Sequence, residues 1–223
     1  MGSLATNAGV NSFLLVYAAL FSIVNPVGGA PIFLSMTRRL APGVRHALAG
    51  RVAFNGFLLL LGSLVVGSHV LEFFGLTLPV VRVAGGLVVM IAGWNLLNQQ
   101  PDQDTREIET VSKKKSEEPD AFYPLTMPIT VGPGSITVAI TLGSRRPQVV
   151  GDPSHWALIV GGAFAGLVAM GVTIYVCYRF AENLETVLGK AGTSVLLRLS
   201  AFILLCIGVE ITWGGVSALI HQI

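Results

Sequence analysis

The sequence predicts an all-α membrane protein whose six transmembrane helices form two inverted three-helix repeats, with the first and fourth helices broken at proline-glycine motifs. Three observations predict it. Of the 223 residues, 52% are hydrophobic and only 12% are charged, which leaves too little polar surface for a water-soluble globule. Apolar runs long enough for a hydrocarbon core of about 30 Å recur along the whole chain. The prolines inside the first run return at the same spacing inside the fourth.

The first run, Val10–Met36, has no Lys or Arg before it, unlike the positive start of a cleaved leader, so it is expected to persist as a helix. Ala47–Val70 and Leu76–Leu97 follow, joined by a short link that contains Glu72 and Gly75. Phe122–Leu142 is the fourth, Trp156–Tyr178 the fifth and Val195–Ile220 the sixth. The polar stretch 98–121 joins a first repeat, 10–97, to a second, 122–223, within one membrane domain, 1–223.

Charge sets the orientation. With the N-terminus outside, Arg38, Arg39, Arg45, Arg51, Arg106, Lys113, Lys114, Lys115, Arg179 and Lys190 fall inside, against Arg145 and Arg146 outside. Both termini are then outside. A re-entrant fourth segment would exchange Arg179 and Lys190 for Arg145 and Arg146 and leave the balance unchanged, so charge alone fixes only the first three spans. Lys113 to Lys115 sit among Glu107, Glu109, Glu117, Glu118 and Asp120, and the net charge is only +2, so nucleic acid is not an expected partner.

The repeat is read from three anchors. Pro26-Val-Gly-Gly-Ala-Pro31 aligns with Pro128-Ile-Thr-Val-Gly-Pro133; Leu71-Glu72 with Gly75 aligns with Leu184-Glu185 and Gly189; and the run at Arg82 aligns with that at Arg198. Three spans per half, an odd number, makes the second half enter from the opposite side. At the first break the helix is expected to stop near Asn25. Pro26 removes an amide, Gly28 and Gly29 permit non-helical angles, and a second piece starts at about Ala30 or Pro31. Pro128, Thr130, Gly132, Pro133 and Gly134 repeat the pattern, and Ser135 or Thr137 can bond the freed backbone groups.

Orphan backbone groups cost several kcal/mol each in lipid, so both breaks must face the bundle interior or a cavity. Half-helix N-termini favour an anionic group and half-helix carbonyls a cationic one, which suits a small zwitterion. Proline-kinked helices packed by their glycines are the bland alternative for either break alone; the matched pair favours a binding site.

Glu210 lies deep in the last run and is a candidate for coupling to H⁺ or Na⁺, or for a structural hydrogen bond. Arg82, Arg198, Glu72 and Glu185 are read as span-end charges at the membrane interface. Cys177 and Cys206 fall in apolar runs and are read as small hydrophobes. His46, His69, His155 and His221 have no metal-ligand spacing, so no metal or cofactor is expected, and no nucleophile-base arrangement suggests an enzyme. Gly162 and Gly166 suit close helix packing within a chain or in a homo-oligomer.

Ile-Val-Asn25-Pro26-Val-Gly-Gly-Ala-Pro31-Ile-Phe and Pro124-Leu-Thr-Met-Pro128-Ile-Thr-Val-Gly132-Pro133-Gly134-Ser-Ile-Thr resemble the two signature segments of the MarC family. Arg82 with Ala84-Gly85-Gly86 fits that family's third helix and Arg198 its sixth; Ser200-Ala201 and Glu210 depart from its pattern. The resemblance spans essentially the whole chain. It implies a six-span prokaryotic inner-membrane protein and, from some relatives, transport of small neutral amino acids such as glycine and alanine. A channel is the alternative reading, and a membrane structural or assembly protein a weaker one.

Overall fold

The computed structural model describes residues 2–98, 120–123, 125–144 and 153–221. These are helical, with no strand among the described residues: α1 (Gly2–Val24), α2 (Pro26–Thr37), α3 (Pro42–Phe73), α4 (Leu78–Asn98), a π-helical turn (Leu125–Thr130), α5 (Pro133–Gly143), α6 (Pro153–Arg179) and α7 (Ala181–Ile220). Most of the predicted connection 98–121 lies outside the described residues, as do Arg145 and Arg146.

Among the described residues, four stretches are long and apolar enough to cross a bilayer: Pro42–Phe73, Leu78–Asn98, Trp156–Arg179 and Gly192–Ile220. The pair α1 and α2, bent by 41° at Asn25, adds a fifth when the two pieces are counted as one span. A bend of that size redirects the chain without reversing it. The fourth predicted segment differs, because its regular helix α5 runs only from Pro133 to Gly143, about 16 Å at 1.5 Å per residue.

Local chemistry sets the helix ends. Ala41 holds the extended conformation that a following proline imposes, and Pro42 opens α3, where its missing amide costs nothing. At the other end Gly75 takes φ 66°; its amide reaches the Glu72 carbonyl at 3.1 Å and the Leu76 amide reaches Leu71 at 2.9 Å. That is the paired closure of a left-handed glycine cap. Gly189 breaks α7 at φ 65° and ψ 178°, a conformation open in practice to glycine alone. Helix therefore extends upstream of the predicted Val195 start, and Gly189 divides it.

Without a hydrophobic drive between helices in lipid, packing uses small residues. Helix α4 lies against α7 with Gly93 over the backbone of Ala201 and Leu205, and Gly215 over Pro79 and Val83. Helix α1 lies against α6, where Gly162 faces the Gly9 backbone and Gly166 faces Phe13 and Val16. The Gly162–Gly166 pair thus packs within the chain. Helix α3 contacts α5 and α6, α4 also contacts α5, and α2 contacts α6 and α7.

Leu20, Phe33, Val52, Leu60, Leu125, Val131, Leu167, Met170, Ile174 and Tyr178 fill the interior. Phe54, Val65, Ile91, Trp94, Val172, Phe202 and Trp213 face outward, an apolar exterior that hydrocarbon solvates and water does not.

A side chain at Gly93 would meet the Leu205 amide at 2.6 Å and the Ala201 carbonyl at 3.0 Å, whereas Gly62 has nothing within 4 Å. We expect Gly93→Leu to cost at least about 1–3 kcal/mol by prying α4 from α7, and Gly62→Leu to be neutral. Thermal unfolding of both variants in one detergent checks this.

Candidate functional site

The first break is one residue wide. Asn25 takes φ 45° and ψ 61°, a left-handed conformation that asparagine tolerates better than most residues. Its side-chain oxygen accepts from the Gly28 amide at 3.1 Å, and its carbonyl accepts from Gly29 at 2.9 Å. Pro26 occupies the first position of α2, where the absent amide is no loss. The second piece thus begins at Pro26 and not at Ala30 or Pro31, because the cap on Asn25 lets the helix resume at once. Pro31 falls inside α2, where it cannot donate to the Val27 carbonyl.

Gly28 and Gly29 are accordingly helical, and their service is close approach. A side chain at Gly28 would come within 2.8 Å of the Ser200 hydroxyl, and one at Gly29 within 2.7 Å of the Tyr178 hydroxyl. Both glycines are buried.

The second break is longer. Met127, preceding Pro128, is extended at φ −119° and ψ 121°, and Gly132, preceding Pro133, at φ −93° and ψ 177°, as steric conflict with the proline ring demands. Here it is Pro133 that opens the helix. The Thr126 hydroxyl donates to Ala121 O at 2.6 Å, Thr130 to Leu125 O at 2.7 Å, Ser135 to Gly132 O at 2.8 Å and Thr137 to Pro133 O at 2.9 Å. Each hydroxyl thus finds a local carbonyl beside the break, and the Ala121 and Gly132 carbonyls also accept the Thr126 and Ile136 amides. N-cap Gly132 offers no side chain to the first turn of α5. Gly134 is buried against Val89, while Pro133 is exposed.

Tyr178, near the end of α6, joins the two breaks. It is fully buried, its ring stacks on Phe33 of α2 at 4.6 Å, and its hydroxyl lies over Gly29 and 2.8 Å from the Thr130 hydroxyl. Since the Thr130 hydrogen goes to Leu125 O, Tyr178 donates and Thr130 accepts. Neither Tyr178 nor Ser200 carried a motif; the only sequence signal for Tyr178 was a polar-tipped aromatic at the end of an apolar run.

Four residues on, Glu182 pairs with the buried guanidinium of Arg45. This pair ties the start of α7 to the first turns of α3. The Arg82 Nε donates to Thr141 at 3.4 Å, binding the start of α4 to the end of α5. Arg198 and Glu210 are exposed on α7 and are not drawn into the junction of the breaks. Glu210 has no hydrogen bond to a neighbouring helix among the described residues. There, too, no group of three His, Cys, Asp or Glu side chains is placed to hold a metal ion.

A bundle of lipid-facing helices around two backbone breaks defines an integral membrane protein with irregular backbone buried at depth. Residues 10–220 match the family described as MarC family integral membrane protein, and the chain belongs to that family. It is similar to a UPF0056 membrane protein of Pyrococcus abyssi, 28% identical over 93% of this chain and 96% of the relative. The UPF0056 membrane protein YvbG of Bacillus subtilis is also 28% identical, over the same shares. The UPF0056 inner membrane protein MarC of Salmonella typhimurium is 29% identical over 90% of this chain and 92% of the relative. No solved structure matches the chain.

Asn25 both caps α2 and holds the left-handed link. Asn25→Ala is expected to lose about 0.5–2 kcal/mol and Asn25→Gly only a few tenths. Tyr178→Phe, which removes the bond to Thr130, should lose about 1 kcal/mol. Midpoints of thermal unfolding in detergent distinguish the three.

Proposed function

We propose that this protein is a secondary transporter of a small neutral amino acid such as glycine or alanine, or of a similar metabolite, with its substrate path at the two breaks. The observation that carries this reading is the buried junction Gly29–Tyr178–Thr130, which brings the broken segments of the two halves to one place. Irregular backbone at this depth must line a site or be buried in protein. The first-turn amides of α5, without a side-chain cap, suit a carboxylate; the carbonyls of the π-helical turn and the hydroxyls of Thr130 and Ser200 suit an ammonium group. The tight fit around Gly28 and Gly29 favours a small ligand. Asn25, Pro26, Pro31, Pro128, Pro133, Gly132, Gly134 and Ser135 shape the backbone around it. Transport is coupled to an H⁺ or Na⁺ gradient.

The architecture in this reading is six spans in two inverted repeats. Exchanging the halves turns the contact of α2 with α7 into that of α5 with α4, the contact of α2 with α6 into that of α5 with α3, and the contact of α1 with α6 into that of the π-helical turn with α3. The contacts of α4 with α7 and of α3 with α6 map onto themselves. The aligned Gly75 and Gly189 share φ near 65°. The Arg45–Glu182 pair adds support for a crossing fourth segment, since an even number of crossings between those residues keeps both on one face. Both termini then lie outside the inner membrane of a prokaryotic cell.

Proteoliposomes loaded with labelled alanine or glycine should show flux under an H⁺ or Na⁺ gradient, reduced at least tenfold by Asn25→Ala or Gly132→Leu. Folded wild-type protein without flux under either gradient would count against the carrier, and currents far above carrier rates without counterflow would make it a channel. A reporter fused after Ile223 should read outside; a cytoplasmic signal sinks the six-span arrangement.

A further inference from the structure

Glu210 sits in the span Gly192–Ile220, about 15 Å from the Ile220 end and about 27 Å from Gly192 at 1.5 Å per residue. It lies within the hydrocarbon by length, yet points away from the bundle. No described residue bonds it. The opposite face of α7 is occupied, with Gly208 and Gly215 buried against α4.

Around Glu210 the outward face consists of Leu199, Ile203, Cys206, Trp213 and Gly214, all exposed. The apolar members need only lipid. Glu210 does not, because a carboxylate at this depth costs several kcal/mol and even its protonated form keeps a donor and an acceptor that acyl chains cannot satisfy. A lipid headgroup lies too far away, and Arg198 is about 18 Å up the same helix. One turn to either side stand Cys206 and Gly214, both small, and a Cβ at Gly214 would meet nothing within 4 Å. This spacing lets a second backbone come close at the level of the carboxyl.

We propose that this face of α7 is the contact between two copies of the chain. In a two-fold pair about the membrane normal, each residue at the crossing meets its own copy at the same depth. The polar group arriving opposite Glu210 is therefore Glu210 of the second copy. The two carboxyls share hydrogen bonds with at least one of them protonated, since two carboxylates at contact distance repel. The helices cross where Cys206 and Gly214 leave room.

Native Cys206 supplies the test. In membranes holding the full chain as Cys177→Ser, mild copper-phenanthroline oxidation should give a reducible band at twice the 23.5 kDa chain mass, because a disulfide needs Cα atoms within about 7 Å. The band should vanish with Cys206→Ser, fall severalfold with Gly214→Leu or Glu210→Leu, and persist with Glu210→Gln. V172C, on the exposed face of α6, should give none in a Cys177→Ser, Cys206→Ser background. No Cys206 band, or an equal one from V172C, overturns the proposal. Photobleaching of single labelled molecules in bilayers should show two steps at dilution; single steps throughout overturn it as well.

Discussion

Hydrocarbon has no hydrogen bonds to offer, and everything in this fold follows from that. A continuous helix satisfies its own backbone, so α3, α4, α6 and the Gly192–Ile220 span of α7 need little beyond apolar side chains. Two interruptions cannot satisfy themselves, and the chemistry of the molecule gathers around them. Asn25 covers one amide of α2, and Thr126, Thr130, Ser135 and Thr137 each turn a hydroxyl onto a nearby carbonyl. Each such bond contributes about 1 kcal/mol, while an unpaired group at this depth costs several. The Ala121 and Gly132 carbonyls also accept backbone amides, so each of these hydroxyls chiefly meets its own need for a partner.

Among the described residues, four of the six predicted spans, the bent first segment and both breaks were legible because they depend on local composition; the fourth segment, with a regular helix of only Pro133–Gly143, was not. Runs of 20 apolar residues can be counted, and a proline inside one interrupts the ladder wherever the rest of the chain goes. The roles of individual prolines and glycines were less legible. Pro26 and Pro133 start helices while Pro31 does not, although the aligned spacing makes the two breaks look alike. The difference lies in the preceding residue: Asn25 can turn left-handed and cap in one step, whereas Gly132 stays extended and has no side chain to cap with. Gly28 and Gly29 read as turn residues, yet they are helical and serve the approach of Ser200 and Tyr178. That approach comes from helices more than 140 positions away in sequence, and no local pattern carries it. Gly75 and Gly189 stood out in the sequence as matching glycines because a positive φ demands glycine from its own backbone alone.

Charged residues divide by the same logic. Arg82 and Arg45 lie near helix ends and find partners in Thr141 and Glu182, as long side chains do when the interface is within reach. Glu210 is too deep to reach an interface and too far round its helix to reach the bundle interior. Its position in the sequence announced an intramembrane carboxyl, but the direction it faces depends on which side of α7 meets α4. That is set by Gly208 and Gly215.

The corner between α6 and α7 concentrates the constraints on the first break. Within the five residues Tyr178 to Glu182, one side chain stacks on Phe33 and covers Gly29, and another holds Arg45 at the start of α3. Tyr178 also donates to Thr130 of the second break. A rearrangement that separates α2 from the π-helical turn must therefore withdraw the Tyr178 hydroxyl from Thr130, Gly29 or both. If the corner moves as a unit, the Arg45 guanidinium must follow or lose its carboxylate, and a buried cation without its partner is the costlier outcome. Motion at the breaks is thereby tied to the face of the protein that carries Arg45, through a lever only five residues long.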